Sequence, residues 1–284
     1  MLIAQNSIKR TLAVFCFLAL FNLSTAGKCP FGYTSESTEG HEFAQVGDDV
    51  KFLSQILDSD VKKTSVFDDN LYKQIQKKVW EKYNSISAAV SDNNNQRADF
   101  TACLIRLAGH DFMDYRIGEE HLGGADGCVN FDDPDNKGLP SCLTKFGVNS
   151  ILAPFKTKVS LADFVVIAAE AVIIRTSTNY TTADPYKAGT IGARFLQGFR
   201  YGRESSDTCD WNIGRMPNPE HGCHGRYDED GNFLDGLQQI FVDHIFKEAE
   251  HPWTFVAAIS GAHTVGSAKK ENSGYDGFWA GAKD

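Results

Sequence analysis

Two side chains with complementary chemistry lie four residues apart, at Arg106 and His110. The surrounding sequence predicts a helix from about Asp99 to Met113, and residues four apart on a helix project from the same face. A guanidinium beside an imidazole lowers the basicity of the imidazole and keeps it available as a neutral base. Such a base can move a proton between the two oxygens of a peroxide, while the fixed cation stabilises the charge on the leaving oxygen.

A third candidate is His263, which lies among small residues in the sequence Ser-Gly-Ala-His-Thr-Val-Gly at 260–266. Pro252 suits the first turn of a helix that runs to Ser260, and Gly261 offers a stop. Neutral imidazole is a normal axial ligand of haem iron, and small neighbours would let a flat macrocycle approach the backbone. Each of these patterns is weak alone, since R-x-x-x-H occurs in surface pairs and a histidine at a helix end is often a cap.

The rest of the sequence predicts helices joined by long loops, with few strand signals. Apolar residues recur at four-residue steps from Leu71 to Tyr83, which predicts an amphipathic helix. Two further helices are predicted from apolar patterning, at residues 160–176 and 234–249. Loops are predicted where Gly, Asp, Asn and Pro cluster, at residues 118–140 and 203–232. The predicted fold class is therefore mainly α.

The 284 residues have an ordinary globular composition and a formal net charge of -9. This acidic balance argues against a nucleic-acid partner, because phosphate contacts need a basic surface.

The first residues resemble a signal peptide at 1–26, with Lys9 and Arg10 before an apolar run and small residues at the end. An uncleaved anchor is the alternative. We therefore expect a secreted monomer that is outside the membrane after cleavage, with residues 29–284 as one domain.

Cysteine usage agrees with export. One of the seven cysteines, Cys16, leaves with the signal peptide, and an even number remains. In an oxidising compartment these six suggest three disulfides, although sequence does not fix the connectivity. The pairing that we predict across the second loop joins Cys209 to Cys223. Asn179 begins a candidate glycosylation sequence.

Together, the segments at 106–111 and 260–266 resemble the distal and proximal haem motifs of the plant, fungal and bacterial haem peroxidase superfamily. Other segments resemble further motifs of that family in the expected order. They lie at residues 124–127, 136–139, 159–163, 201–203 and 216–219. The resemblance covers roughly residues 70–284. It implies an all-helical fold that holds haem b between a distal and a proximal half.

The resemblance also implies roles. His263 would be the proximal iron ligand, His110 the distal acid and base, Arg106 the distal cation, and Asn136 the residue that orients His110. The implied activity is reduction of hydrogen peroxide with one-electron oxidation of a small phenolic or aromatic donor, in a response to oxidative stress. Two other functions stay open: a non-catalytic extracellular binding or matrix protein with this fold, and a haem-binding protein without peroxidase activity.

Two more residues are expected near the haem by resemblance. Pro217 lies in the segment at 216–219. Trp279 lies sixteen residues after His263, where cytochrome c peroxidase and ascorbate peroxidase place a tryptophan beside the proximal ligand. A plain core tryptophan is the alternative. The sequence stops at Asp284, before the family segment whose carboxylate hydrogen-bonds the proximal histidine, so the predicted domain lacks its C-terminal proximal segment.

Calcium is a candidate second cofactor. Asp111, Gly124 and Asp126 match a distal calcium site of secreted family members, and Thr264 matches one ligand of a proximal site. Cys128 stands where a serine is usual, and sulfur is a poor ligand for a hard cation.

Three other positions matter for the structure. Gly109 replaces the aromatic residue that usually precedes the distal histidine, which either opens the pocket or leaves it repacked. Asp163 and Arg203 match positions that form a buried ion pair in the family.

Overall fold

The structure, a computed structural model, describes residues 68–91, 94–177, 184–216, 224–227, 230–231, 233–234, 236–273 and 276–278. These residues are mainly helical, as the sequence predicts. The α-helices are α1 (Asp69–Ser85), α2 (Gln96–Met113), α3 (Leu139–Phe146), α4 (Val148–Leu152), α5 (Leu161–Thr176), α6 (Ile191–Gly198), α7 (Pro252–Ser260) and α8 (Lys270–Ser273). Short 3-10 helices lie at Pro134–Asn136, Asp210–Asn212 and Gly261–Thr264.

The strands form three short antiparallel hairpins. Their members are β1 (Val90–Ser91) with β2 (Asn94–Asn95), β3 (Arg226–Tyr227) with β4 (Phe233–Leu234), and β5 (Ser267–Ala268) with β6 (Gly277–Phe278). In the last hairpin Ser267 pairs with Phe278 and Ala268 with Gly277. The third hairpin therefore follows directly after the segment that carries His263.

Helix α5 is the centre of the main core. The Ser160 side chain caps its start by accepting a hydrogen bond from the Asp163 N–H, and residues 161–174 are all buried. A helix that is apolar on all sides is stable only when other elements cover it. Helices α1 and α2 pack against it and supply that cover, α1 through an apolar stripe that includes Leu71, Ile75 and Val79.

Helix α2 has one face in the main core and another face that is only partly buried. The Asn95 side chain caps its start by accepting from the Ala98 N–H. Phe100, Leu104 and Leu107 are buried in the main core, whereas Arg106 and His110 are only partly buried. The apolar face thereby fixes the direction in which the polar pair projects.

A second, smaller core lies beside α7. Tyr115 packs there with Phe241, Val256 and neighbouring apolar residues. Part of the helix predicted at 234–249 is a π-helix instead, at Gln238–Ile245. The buried Ile240 and Ile245 lie five residues apart, a spacing that a π-helix places on one face and an α-helix does not.

The structure corrects the predicted disulfide. Cys209 is bonded to Cys128, with Cα atoms 5.8 Å apart, and not to Cys223. A second disulfide joins Cys103 on α2 to Cys142 on α3. The prediction was wrong because it favoured a partner close in sequence, whereas folding brings Cys128 to Cys209 across 81 residues. Cys29 and Cys223 lie outside the described residues, so a third disulfide stays a prediction.

The expected buried ion pair is confirmed: Arg203 Nη1 lies 2.7 Å from Asp163 Oδ1.

The predicted signal peptide at 1–26 and Asn179 lie outside the described residues. Within the part of the chain that the structure describes, no helix has both the length and the apolar character needed to cross a membrane.

Candidate active site

The candidate distal pair lies on one face of α2. Arg106 Nε donates a hydrogen bond to His110 Nε2 across 3.3 Å, and His110 Nδ1 lies 2.7 Å from Asn136 Oδ1. An amide oxygen can only accept, so the imidazole proton is on Nδ1 and the lone pair is on Nε2. This tautomer presents a base on the Arg106 side of the ring.

Asn136 is held so that its oxygen faces His110. It ends the 3-10 helix that Asp133 caps, and its side chain is buried. Its Nδ2 donates to the Asn130 carbonyl at 2.7 Å, which directs Oδ1 toward the imidazole. The orientation of His110 therefore depends on backbone in the 130–136 loop.

The same loop holds Arg106. Its Nη1 donates to the Lys137 carbonyl and its Nη2 to the Asp135 carbonyl, each at 2.8 Å. Two fixed carbonyls give the guanidinium one position without neutralising its charge. Neither carbonyl could be recognised from residue types, since every residue has one.

Electrostatics keep His110 neutral. Desolvation of the ring, which is only partly accessible, and the nearby Arg106 charge together lower the pKa of His110 to about 3. The Asn136 hydrogen bond opposes this shift. Burial also lowers the pKa of Arg106, which remains a cation because an arginine pKa starts so high. The site thus pairs a neutral base with a permanent positive charge.

His263 lies in the 3-10 helix Gly261–Thr264 that directly follows α7. Its Nδ1 donates to the Ser260 carbonyl at 3.2 Å, which puts the lone pair on Nε2, the form that binds iron. The side chain is exposed, and in its protonated form its charge contributes to the lowered pKa of His110. The structure therefore brings His263 into electrostatic range of the distal pair. Pro217 and Trp279 lie outside the described residues.

The four candidate calcium ligands do not form a complete site by themselves. Cys128 is in a disulfide, so its sulfur is not a ligand. Within the described ranges, no group of three or more His, Cys, Asp or Glu side chains is arranged to hold a metal ion. Gly124 donates its N–H to Asp114, and Thr264 Oγ1 donates to the Gly261 carbonyl.

Asp111 is nevertheless unusual. It is buried, and neither carboxyl oxygen has a hydrogen-bond partner of good geometry. Burial and the charges of Asp126 and Asp114 raise its pKa well above the ordinary value, and the nearby Gly127 N–H and Arg203 offset only part of this. Burial also raises the pKa of Asp126 to about 7. These carboxyl groups repel each other and favour a proton or a cation among them.

Sequence reasoning missed Asp114. This buried carboxyl accepts hydrogen bonds from the Gly124 N–H at 2.6 Å and from Asn212 Nδ2 at 2.7 Å, and burial raises its pKa to about 6. It ties the 118–126 loop to the segment after Cys209. The available signal was its position one helical turn after Asp111.

No protein-family model matches the chain. It is 27% identical over 181 residues to "Probable L-ascorbate peroxidase 4, peroxisomal" of Oryza sativa subsp. japonica, a match that covers 62% of this chain and 49% of that protein. It is 26% identical over 180 residues to "L-ascorbate peroxidase 5, peroxisomal" of Arabidopsis thaliana, covering 62% and 51%. The chain resembles plant ascorbate peroxidases. It spans about half the length of these curated relatives.

Both relatives are peroxidases by name, and their similarity to this chain is distant. The mainly helical structure is consistent with the all-helical haem peroxidase fold.

Proposed function

We propose that the protein is a haem peroxidase in which His110 and Arg106 act on hydrogen peroxide. One observation carries the proposal: a histidine whose pKa is lowered to about 3 lies 3.3 Å from an arginine that backbone carbonyls hold in place. Pairing two basic side chains is unfavourable unless a task requires it. Peroxide cleavage is such a task, since it needs a neutral base and a fixed cation together.

The residues present fit a haem group. His263 would hold the iron through Nε2, because its Nδ1 proton is engaged by the Ser260 carbonyl. When bound, haem would supply the redox chemistry, and the protein would supply orientation and charge. Ser260 thereby selects the iron-binding tautomer.

His110 would take a proton at Nε2 from one peroxide oxygen and return it to the other. The Asn136 hydrogen bond would keep Nδ1 protonated throughout, so only Nε2 takes part. Arg106 would stabilise the negative charge on the departing oxygen, since its guanidinium does not need to move.

The reductant in this proposal is a small phenolic or aromatic molecule. Ascorbate is the other candidate donor, because both relatives are named for it. Rates of oxidation of a phenol and of ascorbate, measured side by side at equal peroxide concentration, would separate them.

We also propose that the protein is secreted, as the sequence predicts. The two disulfides favour an oxidising compartment, and exclusively cytosolic protein in fractionated cells would contradict it.

We also propose that a calcium ion binds at Asp111 and Asp126, completed by backbone oxygens. The unpartnered, buried Asp111 carboxyl supports this. Calcium should raise the melting temperature of the wild-type protein but not that of Asp111→Asn. Equal melting temperatures of the wild-type protein with calcium and with a chelator would mean that protons, not calcium, relieve the repulsion.

The central test is reconstitution of the full chain with haem. The wild-type protein should show a Soret band at one haem per chain and should oxidise a dye when peroxide is added. His263→Ala should lose the native ferric spectrum, whereas the exposed His251→Ala should keep it. A stable protein that takes up no haem would favour the binding or matrix function, and haem uptake without peroxide reaction would favour a haem-binding protein.

A further inference from the structure

One ridge of α2 carries both the distal pair and a contact with the segment that bears His263. Ala102, Arg106 and His110 follow each other at four-residue intervals, so their side chains lie along one face of the helix. Gly266, three residues after His263, packs directly on Ala102, since a Cβ atom at Gly266 would overlap the Ala102 methyl group. The segment that carries His263 therefore touches α2 at Ala102, with no room for a side chain at Gly266.

The backbone and its neighbours hold this contact in place. Gly266 is buried and has a φ of +93°, a conformation that side chains disfavour. The next residue, Ser267, donates from Oγ to Asp99 Oδ1 at 3.1 Å, one turn before Ala102 on α2. The segment is thus fastened to the helix at two adjacent points.

A third contact links the same segment to the loop that holds Arg106. Asn272 packs against Gly138, where an added Cβ atom would overlap the Asn272 amide. Gly138 directly follows Lys137, whose carbonyl accepts from Arg106. Residues 266–272 therefore touch both elements that position the distal pair.

We propose that Ala102 is a positioning residue for the peroxide site. The contact between its methyl group and Gly266 sets where His263 lies relative to His110. This rests on the proposed function. A close-packed contact transmits added volume as displacement, because protein interiors have few voids to absorb it. A larger side chain at 102 would push Gly266, and His263 with it, away from α2.

The test uses the full chain with haem and two substitutions of graded size, Ala102→Ser and Ala102→Val. Ala153→Val is the matched control, since Ala153 is exposed in a helical conformation just after α4. Ala102→Val should change the ferric haem spectrum and lower the rate constant for peroxide by about 10²-fold, the order of loss that a displacement near 1 Å can cause. Ala102→Ser should change both in the same direction by less, and the control should change neither.

An Ala102→Val protein with the wild-type ferric spectrum and peroxide rate would overturn the positioning role alone. If that variant does not fold, Ala102→Ser decides by the same two measurements. In the haem-free proteins, faster amide hydrogen exchange at residues 262–268 in Ala102→Val than in wild type would support the positioning contact without relying on activity. Unchanged exchange would count against it. A wild-type protein that binds no haem would refute the proposed function, and the positioning role with it.

Discussion

Burial neutralises a titratable side chain in two regions of this protein, with different results. On α2, desolvation and Arg106 lower the pKa of His110 to about 3. On α5, burial raises the pKa of Glu170 to about 8, although the Tyr72 hydroxyl, 2.6 Å away, and Arg203 both oppose the rise. His110 retains some solvent access and lies within electrostatic range of His263, whereas Glu170 is sealed between α1 and α5. The same physics thus yields an available base in one region and a pH-sensitive core in the other.

The two groups also make stability depend on pH with opposite signs. The folded-state pKa of His110 is lowered, so its contribution is complete above pH 6.5 and is lost as pH falls toward about 3. The folded-state pKa of Glu170 is raised, so its contribution is complete below about pH 4.5 and is lost as pH rises through about 8.

The largest expected effect is on the distal base. His110→Ala should lower the rate constant for reaction with peroxide by about 10²–10⁴-fold, the usual contribution of a positioned acid and base. His251→Ala is the control, because that histidine is exposed. Stopped-flow absorbance of the haem-loaded proteins measures the rates. If the wild-type rate declined on acidification with an apparent pKa near 6.5, and not nearer 3, the pKa of His110 would not be lowered as the comparison requires.

The next effect concerns the ion pair beside Glu170. Arg203→Met leaves Asp163 buried without its cation and should lower the free energy of unfolding by about 3–5 kcal/mol. It should also raise the pKa of Glu170 further, because Arg203 now lowers it. Urea unfolding measures the first result, with the exposed Arg200→Met as control. If both variants lost the same free energy of unfolding, the buried ion pair would contribute nothing to stability.

Glu170→Gln removes the titrating group and keeps the side-chain volume. Compared with wild type, the variant should gain relative stability as pH rises from 5 to 8, on the order of 4 kcal/mol by linkage if the pKa is about 8. Urea unfolding across that range gives the difference curve, and the exposed Glu248→Gln should give a flat one. A flat curve for Glu170→Gln as well would show that Glu170 does not make the stability of the core depend on pH.

The smallest effect lies beside His110. A Cβ atom at Gly109 would meet only Met113 Cε, at 3.9 Å, so neither packing nor backbone requires glycine there. Gly109→Ala should raise the free energy of unfolding by about 1 kcal/mol. Thermal unfolding measures this, with Gly192→Ala as the opposite case, because a Cβ there would overlap the Pro185 carbonyl. A loss of peroxide rate in stable Gly109→Ala would indicate that the open space serves the chemistry.

The sequence predicts those features that local patterns determine. The continuous apolar run predicts buried α5, and the four-residue spacing predicts that Arg106 and His110 share a face. Patterns cannot show the carbonyls of Asp135 and Lys137 that hold Arg106, because backbone groups carry no signature. Contacts across long sequence separations were missed for the same reason, as with Cys128 and Cys209, or Ala102 and Gly266. The orientation of His110 by Asn136 followed only from resemblance.

The two disulfides interleave along the chain, since Cys128 lies between Cys103 and Cys142 while its partner Cys209 lies beyond both. Every peptide bond from residue 103 to residue 209 is therefore enclosed by at least one covalent ring. A protease that cuts once within this stretch, even in the long loop that carries Asn136, leaves two fragments that separate only after a reducing agent is added. Nicked protein can thus keep its distal residues tethered, and would migrate as an intact chain on a non-reducing gel.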